Sequence, residues 1–412
     1  MQRNKPPFCA DHVGSILRTA PLKEARAKRA EGKIGADELR AVEDREIESI
    51  IRKQEEAGLQ SITDGEFRRA WWHLDFLEHL DGAESYEMQS GVQFHGAKTK
   101  PMGVRTIGKL GFSSHPMIEH FRFLREHTKR TPKMTIPSPS ALYARAAARE
   151  AVSRDAYPDL DEFFHDLGKT YGKAIRAFYD AGCRYLQLDE VFLVLLCDPE
   201  YRKGVTARDD DPEKIPQLEA GVINAALEGL TADMTVTMHL CRGNFRSTFV
   251  GSGGYEPIAE VLLQGINVHG YFMEYDTERA GGFEPLRFLP KHKTAVLGLI
   301  TSKFPALEPK EAIKRRIGEA AKFVPLEQLC LSPQCGFAST EEGNLLSEEE
   351  QWAKLRHVVE IADEVWGKSS FRVRRFAAPR NDSVGQPRPT NGILVAMIVR
   401  NSTFDSSGRL AM

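Results

Sequence analysis

Short apolar runs alternate with long amphipathic ones along most of this chain. The short runs are β-rich and predict strands over Phe8–Val13, Leu59–Thr63, Lys133–Ile136, Arg184–Leu188, Thr235–Met238, Asn267–Met273, Thr294–Ile300 and Leu329–Leu331. The long runs place apolar residues three or four apart. They predict helices over Ala36–Glu56, Leu160–Asp180, Gln217–Glu228 and Ser347–Trp366. Two of these helices stop at Ala-Gly pairs, Ala57-Gly58 and Ala181-Gly182, as a glycine that accepts the left-handed conformation dictates. The stretch from Gly91 to Phe112 breaks the alternation. Its glycines and its alternating residues, such as Val104, Thr106 and Ile107, predict an inserted hairpin.

Eight strand–helix units in series predict an α/β fold, a (β/α)8 TIM barrel with an inserted hairpin and a C-terminal tail, over residues 1–368. An open doubly wound sheet is the alternative, but no glycine-rich dinucleotide turn follows the first strand. Residues 369–412 are rich in Arg, Ser, Pro and Asn. Apart from Ile393–Val399 they have no period, so they are expected to form a disordered tail outside the barrel.

Composition narrows the classes. The 412 residues are 41% hydrophobic with a net charge of −2, enough apolar material for a large core and no general attraction to nucleic acid. No apolar run approaches the ~18 residues of a membrane span, and the first residues lack the apolar core of a signal peptide. The six cysteines, Cys9, Cys183, Cys197, Cys241, Cys330 and Cys335, have no framework spacing. A cytoplasmic protein with reduced thiols is expected. The oligomeric state is not legible.

Chemistry gathers at the predicted strand ends. Thr235–Met238 runs into His239 and Cys241, and residues i and i+2 of an extended segment face the same side. An imidazole and a thiol aimed at one point suit Zn²⁺; the alternative is a half-buried histidine beside an inert cysteine. Glu274 ends the sixth strand and Cys335 follows the eighth. Together the four make a tetrahedral zinc set, whereas Mg²⁺ prefers oxygen alone.

The segments HLCRGN, YFMEYD and LSPQCGF, in that order, resemble the C-terminal catalytic barrel of cobalamin-independent methionine synthases, and most closely their short single-barrel relatives. The likeness runs from about Cys9 to Gly367. It implies zinc on His239, Cys241, Glu274 and Cys335. It further implies that Gly14 and Ser15 cradle the homocysteine carboxylate, and that Glu66 (in DGE) and Asp189 (in QLDE) hold its amino group. Two carboxylates on one ammonium are sound physics for an amino acid that must be oriented. The reaction implied is methyl transfer from 5-methyltetrahydropteroyl(poly)glutamate, or another methyl donor, to the thiol of homocysteine, giving methionine.

Two departures bear on the donor. The two-barrel members use an additional N-terminal barrel to help hold polyglutamyl folate, and no stretch here corresponds to it. Those members also carry a catalytic histidine near the end of the seventh strand, where this chain reads LGLITSK with Ser302 and Lys303. Lys303 is the candidate replacement acid; His12, His73 and His115 are others. Related readings are a zinc–thiol alkyltransferase of the epoxide–thiol or methylcobamide–thiol type, and a zinc-stabilised barrel without catalysis.

Overall fold

The computed structural model describes residues 3–144, 148–208 and 210–367. The expected tail, 369–412, lies outside the described residues.

Six of the apolar runs form one continuous parallel sheet in chain order: Met134–Pro137, Tyr185–Glu190, Thr235–Leu240, Gly270–Glu274, Thr294–Ile300 and Leu329–Pro333. Ser61–Ile62 pairs in parallel with Thr131–Pro132, which continues through Lys133 into the first of the six. At the other edge Leu331 bridges in parallel to Ala10. The ring therefore closes into the predicted TIM barrel, because the last strand bonds back to the first segment. An open sheet has no such return.

The first strand is weaker than its sequence suggests. In place of a ladder over Phe8–Val13, the described backbone makes one bridge, at Ala10. The Asp11 carboxylate accepts from the backbone N–H groups of Phe8 (3.1 Å) and His12 (2.8 Å), and so competes with the ladder for donors. Its link to the second strand runs through side chains: Ser61 donates to Asp11 at 2.7 Å, and Thr63 Oγ1 donates to the Gly14 carbonyl at 2.6 Å.

Helices Ala36–Glu56 and Leu160–Asp180 have the bounds their periodicity gives. The third is Ile215–Ala226, and the fourth is Glu348–Trp366, with Ser347 and Glu350 in a reciprocal capping box. Helices Ala20–Ala30, Pro116–His127 and Lys310–Ala320 complete much of the outer layer. The regular alternation lapses beside the site. After Leu240 and after Glu274 the chain makes only short 3-10 and π turns before the next strand.

The insertion is larger than its glycines suggested. Asp81–Glu87 pairs antiparallel with Met102–Gly111, and a small hairpin, Gln93–Phe94 with Ala97–Lys98, projects between them. His95 N donates to the Phe249 carbonyl at 3.0 Å, which ties this hairpin to the loop after the fifth strand. Among the described residues, no helix is long and apolar enough to cross a membrane.

Candidate metal and substrate site

Strand register brings the site residues together. Asp189 pairs with His239 across the fourth and fifth strands, and Met273 pairs with Leu240 across the fifth and sixth. The fourth and fifth strands run past their predicted ends, so Asp189 and His239 are strand residues rather than loop residues. Ligand atoms of His239, Cys241 and Cys335 lie within 4.8 Å of one another, and all three residues are buried.

The two sulfurs are 3.0 Å apart. The hydrogen bond from Cys335, joined by His239 and opposed by burial, draws Cys241 down to about 5. Burial and the neighbouring sulfur lift Cys335. Gly243 N donates to the Cys241 sulfur at 3.2 Å, and Gln334 Nε2 donates to the Cys335 sulfur at 2.8 Å. Nδ1 of His239 is buried without a hydrogen-bond partner.

Glu274 is fully buried next to this group and outside it. Its carboxylate accepts from Arg242 N at 2.8 Å and is bridged by Arg279. Burial pushes the carboxyl up, but Lys303, Arg279 and Arg242 together outweigh that and hold it below the ordinary range. Lys303 is buried close enough to Glu274 and the two sulfurs to feel their charge. Its ammonium donates to Gln334 Oε1 at 2.5 Å, and it is not on the cavity wall. Burial opposes its charge, yet Glu274, Cys335 and Asp276 lift it above its ordinary value. A lysine held this firmly charged, with no face on the cavity, is poorly set to give up a proton there.

The cavity above His239 and Cys241 has a volume of 230 Å³. Asp189, Glu66 and Ser15 line it; Gly14 stands behind Ser15 and is not on its wall. Asp189 Oδ1 accepts from Gln187 at 2.7 Å, and burial raises its carboxyl to about 7 against the pull of His239. Glu66 occupies the left-handed region at φ 61°, directly after Gly65 at φ 66°. A non-glycine residue held there stores strain, and here the strain turns a carboxylate into the cavity. Its Oε1 accepts from Thr135 at 3.1 Å, while Oε2 is buried without a partner. Gly336 lets the eighth-strand loop close on Ser15, since a Cβ there would stand 1.9 Å from Ser15 Oγ.

Sequence reasoning missed most of the cavity wall. Trp71, Trp72 and His73 line it, as do Phe94 and Thr99 from the small hairpin and Phe245 from the loop after the fifth strand. His73, one of the alternative acids named from the sequence, is buried on this wall with its ring 4.4 Å from that of Trp72. Asn244 donates to the Gly336 carbonyl at 2.9 Å and joins the two loops. Paired tryptophans beside DGE, and lone phenylalanines in a polar insertion, were the available signals.

Compared with known proteins, residues 8–364 match the family described as cobalamin-independent synthase, catalytic domain. The uncharacterized protein YxjH of Bacillus subtilis (strain 168) is 54% identical over 367 residues, which cover 89% of this chain and 96% of that protein. A methionine synthase of Pyrococcus abyssi is 25% identical over 337 residues, 79% of this chain and 84% of its own. Among solved structures, a Listeria monocytogenes protein described as a candidate vitamin-B12-independent methionine synthase superposes with a TM-score of 0.73. It is 44% identical and covers 89% of this chain and 100% of its own.

Proposed function

This chain belongs to the cobalamin-independent synthase family, and on that premise we propose that it is a zinc-dependent methyltransferase that methylates the thiol of homocysteine to give methionine. One observation carries the reading: a nitrogen and two sulfurs gather within 4.8 Å, and two of these residues, His239 and Cys241, line a cavity whose wall also presents Asp189 and Glu66. The donor set suits Zn²⁺ in its chemistry, and the buried, unpartnered Nδ1 of His239 marks a ring whose polar atoms the protein leaves incompletely satisfied. His239, Cys241 and Cys335 would hold the metal. Glu274 would complete the set by exchanging its contact with Arg279. When bound, zinc lets a substrate thiol, with an ordinary pKa of about 8.5, exist as thiolate at neutral pH.

The chain's own residues do the rest. Asp189 and the free oxygen of Glu66 take the substrate ammonium, and the backbone at Ser15, which is on the cavity wall where Gly14 is not, takes its carboxylate. Trp71, Trp72 and Phe94 keep water from the sulfur. Lys303 acts as a positioning residue, because its ammonium holds Gln334, which in turn donates to Cys335. A purely structural metal would need neither carboxylate, and the unpartnered Glu66 oxygen argues for a ligand. A reducing, cytoplasmic setting goes with this reading, because the site needs its thiols free.

The test is thiol binding to cobalt-substituted protein. Homocysteine should change the visible spectrum of the metal, and cysteamine, which lacks the carboxylate, should do so more weakly. A spectrum indifferent to homocysteine sinks the reading.

A further inference from the structure

Resting on the homocysteine reading, the cavity also indicates what kind of methyl donor it takes. Its 230 Å³ lie in a cleft partly open to solvent. The end over His239, Cys241, Asp189 and Glu66 is assigned to homocysteine, so little covered space remains for the part of the donor that carries the methyl group. That remaining space is walled by rings. Trp72, Phe94 and Phe245 line it, as do Phe192 and Tyr201. Phe94 and Phe245 pack at 5.4 Å between ring centroids, and Trp72 is pinned by its backbone N–H to the Ser339 carbonyl at 2.9 Å.

Charge points the same way. Among the described residues of the wall, the carboxylates are Glu66 and Asp189, and the permanent cation is Arg208, which is exposed. Aromatic faces carry negative potential and attract cations. A chamber of such faces prefers a positive guest to a neutral or anionic one, with the two carboxylates already matched to the homocysteine ammonium.

We propose that the donor is a small methylsulfonium compound, bound with its methyl groups against Trp72, Phe94 and Phe245. The step balances without an added acid. Homocysteine releases its thiol proton to bulk water, and its sulfur attacks the methyl carbon. The methyl–sulfur bond of the sulfonium breaks with both electrons staying on the departing sulfur, which leaves as a neutral thioether. The products are methionine, the thioether and one proton.

Two measurements on the full zinc-loaded chain test this. The first is tryptophan fluorescence titrated with choline and with 3,3-dimethylbutan-1-ol, its neutral analogue of the same shape. Choline should bind roughly ten-fold tighter, and Trp72→Leu and Phe94→Leu should each remove most of that difference. Equal affinity for the two compounds overturns the proposal. The second supplies homocysteine with trimethylsulfonium, with mono- and triglutamyl methyltetrahydrofolate, or with methylcobalamin. Methionine and dimethyl sulfide in equal amounts from trimethylsulfonium support the proposal. Methionine from a folate or from methylcobalamin alone overturns it and leaves the homocysteine reading standing. If choline is preferred while homocysteine leaves the metal spectrum unchanged, the onium site stands and the homocysteine reading falls.

Discussion

Two buried polar clusters occupy the same barrel, one at the N-terminal ends of the strands and one at the C-terminal ends. The first is closed on itself. Asp11 accepts from Ser61 (2.7 Å), Tyr185 (2.9 Å), Lys133 (3.4 Å) and two backbone N–H groups. The Lys133 ammonium also donates to the His12 carbonyl at 2.5 Å and lies 4.1 Å from the centre of the Phe272 ring. The second cluster is open. Glu66 Oε2, His239 Nδ1 and Asn244 Oδ1 are each buried without a partner. Burial is similar in the two places, so burial does not separate them; satisfaction does. A polar group that the fold leaves unpaired carries a desolvation cost that a ligand can relieve, whereas a satisfied one is part of the scaffold.

The sharpest way to break this division is to remove a ligand from the open cluster. Cys241→Ser and Cys335→Ser should each take zinc from about one per chain to a small fraction, because a single four-ligand site loses a thiolate. The apparent binding energy at stake is of order 10 kcal/mol. Elemental analysis by mass spectrometry checks the metal, and thermal melting should show the apo barrel still folded. Full zinc in both variants removes the metal assignment.

The closed cluster should respond in the opposite sense. Asp11→Ala leaves the Lys133 charge buried without its partner, and should cost about 3–5 kcal/mol of stability with zinc unaffected in the folded fraction. Glu66→Gln in the open cluster should cost less, since burial already pushes that carboxyl up against the pull of Arg69 and Arg18, and Arg69 keeps its hydrogen bonds to Thr135. Denaturant midpoints of the two variants decide the matter. Equal losses would mean that both clusters are scaffold.

Acid should find the closed cluster too. Burial, and next the charge of Lys133, lower His12 from 6.5 to about 4. The folded state excludes a proton that the unfolded chain takes up. This contribution is therefore fully present above pH 6.5 and lost as pH falls toward about 4, by roughly 3 kcal/mol. His115 is shifted the same way by burial. His12→Gln should flatten part of the acid limb in a plot of stability against pH; an unchanged slope would show that His12 is accessible to protons in the fold.

The comparison also explains what could be read from sequence. Helix Leu160–Asp180 was legible because its apolar residues recur three or four apart and Gly182 stops it, both local signals. That His239, Cys241 and Cys335 would meet was legible because metal chemistry restricts residue type and strand ends restrict position, whereas Glu274 stands beside the group, held by Arg242 and Arg279. The first strand was over-read. Its apolar run is genuine, but Asp11 diverts the donors of its ladder, a tertiary effect with no period. Phe94, Thr99 and Phe245 were missed for a similar reason. The small hairpin meets the fifth-strand loop through the His95–Phe249 backbone bond, and nothing local announces that meeting. Lys303 was assigned by position in the chain, and the structure turns it toward Gln334 instead.

The smallest expected effect is the most specific. Asp189 lies beside His239 in the strand register, yet its carboxylate receives one hydrogen bond from a side chain, Gln187. Asp189→Asn keeps the shape and removes the charge. Zinc content should hold, because the group is a neighbour of a ligand and not one itself. Homocysteine should bind more weakly by roughly 1.5–3 kcal/mol, about 10- to 150-fold, the loss of one charge-assisted hydrogen bond to its ammonium. 3-Mercaptopropionate has the thiol and the carboxylate without the amino group, so its binding should barely change. Titrating both thiols into the cobalt-substituted variant separates the cases. A selective loss for homocysteine ties the open cluster to an amino-acid substrate. Equal losses would make Asp189 a support for His239, and the cluster would then be open for the metal alone.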